Sequence, residues 1–432
     1  MPSSPSARVR FREKRSSADL QTGKSAQQLV AELAERRWVQ EAFAWFRSHA
    51  RMLEDLQLEV TAIPAPPWGE AARCDWLKAR FEELGLADVH LDELGNVLGI
   101  RRGAQSHDHF IALSAHLDTV FPPGTEISVR REGDKLCGPG ISDNGSGIAA
   151  MLAIAGAMRD VPIQNSLPVL FIGTVGEEGE GDLRGMRHVF QQRRWLDSIA
   201  TLIAIDGAGT DTIIAEALGS RRYEITLQGV GGHSWSDFGV ANPIVALARI
   251  IERFASTPAP ITPKTTYNIG TIQGGTSVNS IPQTAVMRVD TRSASVEELD
   301  KLERALRETV EQVLSAMPNR NRKEALTAVV KVIGDRPAAD LPLDSRLLET
   351  IRAVDSQLSN VAKIQRASTD ANIALSLGRE ALAIGAGGTG GGAHTLHEWY
   401  DPTGRDLGLK RILLLTLALS GLSEPDSSDE KS

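Results

Sequence analysis

Hydrophobic and polar positions alternate with two periods along this chain, and the periods change in a regular order. Residues 25–60 carry helical periodicity in strong helix formers. A second helix is predicted over Cys74–Leu84, stopped at Gly85. Short apolar strands follow at Asn96–Ile100 and Phe110–Ser114, then a helix at Ile148–Met158. Pro168–Ile172 reads as a strand, the region near Met186–Gln192 as a helix, and Thr201–Ile205 as a further strand. Strands alternating with helices predict an α/β layer with a mostly parallel sheet.

The pattern changes near Gly219. Tyr223–Gln228, Thr266–Ile272, Ala285–Arg292 and Ala328–Ile333 read as strands, with helices at Asn242–Phe254 and Val296–Met317. That order predicts a small α+β sandwich with one antiparallel sheet. Residues 219–336 are therefore assigned to a domain inserted into the first, which comprises 25–218 and 337–422. Helices at Asp344–Ser359, Ala371–Leu377 and Leu407–Leu419 and a strand at Ala381–Ile384 complete the α/β layer. No internal repeat is visible.

Length changes this picture little: 432 residues exceed what one core usually holds, so two domains are expected. A net charge of -8 argues against a nucleic-acid partner. The apolar runs Ile148–Met158 and Ile412–Leu419 are too short to span a membrane. Residues 1–24 are Ser- and Arg-rich without an apolar segment, which excludes a secretory signal. They read as a disordered basic tail, with an organellar transit peptide as the competing reading. Residues 423–432 read as an acidic tail, and cytoplasm is the default location. Cys74 and Cys137, the two cysteines, cannot build a disulfide framework or a Cys-rich zinc site, so any metal falls to His and carboxylates.

Acids and histidines gather just past predicted strand ends. His116 and Asp118 follow the first long strand, Glu177 and Glu178 the second, Asp206 the third and His394 the last; Asp143 precedes a helix. The carboxyl edge of an open α/β sheet is where sites form. Unpaired buried carboxylates are costly, and only Arg184 and Arg187 lie near enough in sequence to offset one or two. Cations are the simpler compensation. If His116, Asp143, Glu178, Asp206 and His394 are ligands, the three carboxylates face two divalent ions, and a hydroxide balances the remainder. Such nitrogen and oxygen donors suit Zn²⁺, with Co²⁺ or Mn²⁺ as alternatives. Glu177 and Glu178 are adjacent, so from an extended segment they diverge: one ligates and the other faces the water. Asp118, two residues past His116, leaves the same side and suits a carboxylate that orients the ring.

The stretches Ser114–Thr119 (SAHLDT), Ser142–Gly147 (SDNGSG), Gly176–Glu178 (GEE), Gly231–Ser234 (GGHS) and Ala393–Glu398 (AHTLHE) together resemble the M20 metallopeptidases. The resemblance covers peptidase T-like aminopeptidases, carboxypeptidase G2-like enzymes and the ArgE/DapE-like amidohydrolases. It implies a parallel-sheet catalytic domain of phosphorylase/hydrolase-like architecture, plus an inserted lid that commonly makes a homodimer interface. It implies two Zn²⁺ per subunit: one on His116, Asp206 and bridging Asp143, the other on Asp143, Glu178 and His394. Glu177 becomes the general base and Asp118 the partner of His116. His233 resembles a lid histidine that steadies the oxyanion, in some members across the dimer. Asn279, within Gly275–Pro282, and Arg292 resemble residues that bind a substrate carboxylate, and Gly388–Gly391 line the cleft. The spacing of His to Glu favours His394 over His397 as ligand.

Gly385, Gly387 and Gly390 spell a dinucleotide fingerprint, rejected because no long helix opens after them. His49, His90, His107, His109 and His188 match no motif and are read as surface or packing residues. The expected reaction is hydrolysis of an amide in a small peptide, with N-acyl-amino-acid deacylation as the alternative. A non-catalytic binding protein on this fold would lack a ligand or the base, and none is missing.

Overall fold

A computed structural model describes residues 24–104, 107–317 and 325–421. The tails assigned to 1–24 and 423–432 lie, apart from Lys24, outside the described residues. The chain divides into two compact units, Met1–Glu216 with Asp340–Ser432, and Ala217–Ala339.

The first unit is built on a sheet whose centre is parallel. Val169–Thr174, Phe110–His116, Ile199–Ile205 and Glu380–Ile384 lie side by side in that order, all parallel. Antiparallel strands flank them: Val97–Arg101 and Ala87–Leu91 on one side, Thr212–Ala217 on the other. The parallel pattern expected from the sequence thus applies to the middle of the sheet. All six residues of Val169–Thr174 are buried, as a strand covered on both faces requires. Gly145–Asp160 and Arg405–Ser420 lie against Phe110–His116, and both helices are buried along most of their length. Their unbroken apolar runs therefore serve the core. Among the described residues no helix is long and apolar enough to cross a membrane.

Residues 25–60 resolve into three helices, Ala26–Glu35, Arg37–Ser48 and Ala50–Ala62. Ser25 and Gln28 form a capping box at the first, and extended backbone at Arg36 ends it.

Register positions the site. His116 pairs with Thr174, Ser114 with Ala204, and Ile205 with Ile384. The four central strands thus end together, and the loops that leave them share one edge. A second small sheet, order Thr389–Gly391, Trp399–Asp401, Lys135–Cys137 and Arg130–Glu132, ties the loop after the last central strand to the loop before Gly145.

The second unit is a four-stranded antiparallel sheet, order Thr265–Gly274, Thr284–Ser293, Gly219–Gln228 and Thr327–Arg336. Leu247, Ile250 and Phe254 of helix Pro243–Phe254 and Leu306, Val310 and Val313 of helix Val296–Ala316 bury with Tyr223, Ile225, Met287 and Val289. Asn242 caps the first of these helices, accepting from the amides of Ile244 and Val245, with Pro243 in its first turn.

Candidate metal centre

The loops that leave the central strands, and the turn before helix Gly145–Asp160, bring their acids and histidines together. His116 is the last residue of its strand, Asp206 follows Ile205 directly, and Glu177 and Glu178 lie three and four residues past Thr174. Asp143 precedes Asn144, the N-cap of helix Gly145–Asp160; the peptide joining them is cis. His394 lies in the loop between Thr389–Gly391 and Trp399–Asp401.

Asp143 stands at the centre. Its Oδ1 lies 3.0 Å from His116 Nε2, and its Oδ2 lies 3.1 Å from His394 Nε2. Beyond them, Asp206 Oδ1 lies 3.7 Å from His116 Nε2, and Glu178 Oε1 lies 3.0 Å from His394 Nε2. Donor atoms of His116, Asp143 and Asp206 fall within 4.8 Å of one another, as do those of Asp143, Glu178 and His394. Ligands about 2.0–2.1 Å from a tetrahedral zinc stand about 3.3 Å apart, so both groups match such a shell in chemistry and spacing.

The histidine protons agree. His116 Nδ1 lies 3.1 Å from the Asp118 carbonyl, which can only accept, so Nδ1 carries the hydrogen and Nε2 is the atom turned to the carboxylates. Burial opposes charge on this ring, but hydrogen bonds with Asp118, Asp143 and Asp206 hold its pKa well above the usual value. Hydrogen bonds with Asp143 and Glu178 raise His394 to about 10. Burial would raise Asp143, yet the two histidines hold it below the usual carboxylate range. The acids thus demand positive charge, and metal binding there releases protons.

Asp118 is fully buried, and its carboxylate accepts from the amides of Glu177 at 2.9 Å and Glu178 at 2.8 Å. Its Oδ1 lies 3.7 Å from His116 Nδ1. It thereby fixes the turn that carries both glutamates. The divergence expected for adjacent side chains of an extended strand does not apply there. The strand ends at Thr174 and Gly176 turns with φ 64°, and donor atoms of Glu177, Glu178 and His116 come within 4.8 Å of one another. Both expected arginines pair with other acids. Arg184 Nη2 binds Glu70 at 2.6 Å, and Arg187 Nη2 reaches Asp182 at 3.5 Å.

Three groups have positioning roles that the sequence did not assign. Glu398 is buried and accepts from the amides of Gly140 at 2.7 Å, Ser142 at 2.8 Å and Asp143 at 2.7 Å, so it shapes the loop that presents Asp143. Burial pushes it up to about 7 against the pull of those amides. The four-residue spacing from His394 was its only signal. Asn144 Nδ2 donates to the Ile205 carbonyl at 2.8 Å, and its Oδ1 accepts from Gly207 at 3.2 Å, which ties Asp143 to Asp206. Asp370 is buried, accepts from Thr174 Oγ1 at 2.5 Å, and has no hydrogen-bond partner at Oδ1; burial raises it to about 6. No motif marks it.

His397 is exposed, and His394 is the histidine in the cluster. Gly388 adopts φ 66°, and a Cβ there would meet Tyr400 Oη at 2.5 Å, so packing alone demands glycine. The fingerprint glycines lead into strand Thr389–Gly391, not a helix. His49 stacks on Trp45, and His188 Nε2 lies 2.9 Å from Glu93.

In the second unit, His233 pairs with Ser280, and the Ser234 amide donates to the Asn279 carbonyl at 3.0 Å. His233 Nδ1 accepts from the amides of Trp235 at 3.2 Å and Ser236 at 3.4 Å, so in the neutral ring Nε2 carries the hydrogen. Arg292 is not with them. It pairs with Ser220 at the opposite end of the strand that begins at Thr284, and its Nε donates to Asp290 at 2.8 Å.

Comparison with known proteins matches this arrangement. Carboxypeptidase G2 of Pseudomonas sp. (strain RS-16) is 25% identical over 255 residues, covering 56% of this chain and 60% of that protein's length. Aminopeptidase PepT from Bacillus cereus superposes with a TM-score of 0.68 at 20% identity, over 85% of this chain and 98% of that one. The YXEP protein of Bacillus subtilis, described as a dinuclear metal-binding peptidase, superposes with a TM-score of 0.63 at 16% identity, over 86% and 99%. The sequence profile of peptidase family M20/M25/M40 matches residues 112–417, a span that holds every group of the cluster, and the chain belongs to this family of hydrolytic enzymes.

Proposed function

We propose that this chain is a dinuclear metal-dependent amidohydrolase that cleaves the amide bond of a small peptide, as an aminopeptidase or a di- or tripeptidase does. The observation that carries the reading is Asp143, whose two oxygens each face a different histidine at 3.0 and 3.1 Å. One ion would be held by His116, Asp206 and Asp143, the other by Asp143, Glu178 and His394. When bound, two divalent ions, Zn²⁺ or alternatively Co²⁺ or Mn²⁺, would lower the pKa of water toward about 7 and polarise the scissile carbonyl.

The chain's own residues do the rest. Glu177 takes the proton of the attacking water and passes it to the leaving amine. Asp118 holds Glu177 and Glu178 through their amides. His233 presents Nε2–H as an oxyanion donor, its ring set by the amides of Trp235 and Ser236. Arg292 binds the substrate's carboxylate together with the partner subunit's Asn279, since Asn279 lies at the His233 end of the lid, and Gly388 lines the cleft.

The second unit serves as lid and dimerisation domain. Arg292 and the Thr284 end of the sheet, near His233, are about 25 Å apart at strand spacing. A dipeptide spans about 7 Å. One lid therefore does not offer both residues to one small substrate, which supports a homodimer in which His233 serves the partner's centre.

The test uses zinc-loaded protein with a dipeptide, a tripeptide and an N-acetyl amino acid. Cleavage of the peptides, abolished by a chelator, is the expected result. Cleavage of the N-acetyl amino acid alone would make the enzyme a deacylase. Metal bound without any turnover would overturn the catalytic reading.

A further inference from the structure

One large aromatic residue stands in the open beside the centre, with one face against a guanidinium. Trp68 is 69% exposed. One face of its ring is nevertheless covered, because the Arg184 guanidinium carbon lies 4.2 Å from the ring centroid. Arg184 is itself locked by Glu70 at 2.6 Å, in a pair whose side chains are only 12% and 5% exposed. Its Nη1 packs so tightly on Gly176 that a Cβ there would meet it at 1.5 Å. Gly176 immediately precedes Glu177. Given a spacing of 3.80 Å between successive Cα atoms, the Trp68 ring centre lies within about 12 Å of the Glu177 Cα.

The loop before Trp68 is tied to the other strand end of the site. The Thr119 amide donates to the Ala65 carbonyl at 2.9 Å, and Arg73 donates to the carbonyls of Leu117 at 2.7 Å and Ile63 at 2.6 Å. Trp68 therefore stands on the framework that holds His116, Asp118 and Glu177. One face of its indole is covered by a cation whose charge Glu70 neutralises. The other is an apolar, flat surface suited to stacking. About 7 Å of extended peptide plus a long side chain bridges the distance from the reacting carbonyl.

We propose that Trp68 is a substrate-binding residue whose outer face takes a flat apolar side chain, so that the enzyme prefers substrates with an aromatic residue beside the scissile amide. This inference rests on the amide-hydrolase reading above.

The experiment uses full-length, zinc-loaded wild type, Trp68→Ala and Trp68→Phe. Substrates form pairs that differ only in Phe or Ala, placed on either side of the amide. The wild type should favour Phe at one of the two positions. Trp68→Ala should lose roughly tenfold in kcat/KM on that substrate, through KM, and change less than about twofold on the Ala counterpart. Trp68→Phe should keep most of the preference. Equal losses on both members of a pair, an intact Phe preference, or a change of oligomeric state with uniform loss would overturn the proposal. Calorimetric titration with L-phenylalanine and L-alanine separates this inference from the reading beneath it. If no amide is cleaved, the hydrolase reading fails, and Trp68 is judged on binding. Roughly tenfold weaker L-phenylalanine binding in Trp68→Ala supports it, and equal binding sinks it.

Discussion

At pH 8.5, above the Glu398 pKa of about 7, replacing Glu398 with glutamine removes one charge and alters almost no volume, at a residue that is 1% exposed and accepts three backbone hydrogen bonds. The amide keeps a single acceptor oxygen. If that oxygen takes the place of Oε1, the amides of Ser142 and Asp143 stay bonded, while the new NH₂ group faces the Gly140 N–H. A buried donor left unsatisfied costs about 1–3 kcal/mol. Turning two charge-assisted bonds into neutral ones costs about 1 kcal/mol each. The loss is therefore about 3–5 kcal/mol. Because the weakened bonds shape the loop that presents Asp143, metal affinity should fall as well, by roughly 10- to 100-fold, as for other groups that orient a metal ligand. Urea denaturation measures the first quantity, and zinc competition with a chromophoric chelator measures the second. Stability within about 0.5 kcal/mol of wild type together with unchanged zinc affinity would refute the clamp argument.

Other expectations follow from separate parts of the molecule. Glu177→Ala should retain both metal ions and lose roughly 10²- to 10⁴-fold in kcat, measured as metal content and peptide turnover on one sample. Asp355 holds the buried guanidinium of Arg411 through two hydrogen bonds, at 2.6 and 2.9 Å. Asp355→Ala leaves that charge unpaired and should cost about 3–5 kcal/mol in denaturant unfolding. Burial pushes the Cys74 thiol up to about 12, and burial beside Glu132 also raises Cys137. A raised thiol pKa means the neutral form prevails at pH 8, so native protein should resist iodoacetamide and denatured protein should take up two labels, counted by mass spectrometry.

Much of the first unit was legible because its strands are buried on both faces. Runs such as Val169–Ile172 have no polar alternation to confuse the reading, and helix Gly145–Asp160 announces itself by small and apolar residues. The residues of the candidate metal centre were legible because strands in register deliver chemistry to one edge. What could not be read depends on contacts between distant segments. Ala87–Leu91 and Lys363–Ala367 are short, half-exposed strands whose sequences, ADVHL and KIQRA, carry no strong period. The small sheet that joins residues 130–137 to 389–401 consists of three-residue strands, yet it carries the loop with His394 toward Asp143. The turn at Gly176 brought Glu177 and Glu178 together where a pleated strand would have separated them. The role of Glu398 depends on amides more than 250 residues away. Asp370 sits beside Thr174 across 196 positions of sequence.

Zinc-soaked crystals, with anomalous scattering recorded at the zinc edge, test the central claim most directly. The account predicts two peaks per chain, one on each side of Asp143, each about 2.0–2.2 Å from a different one of its carboxylate oxygens. No peak, or a single peak that does not touch Asp143, would contradict it.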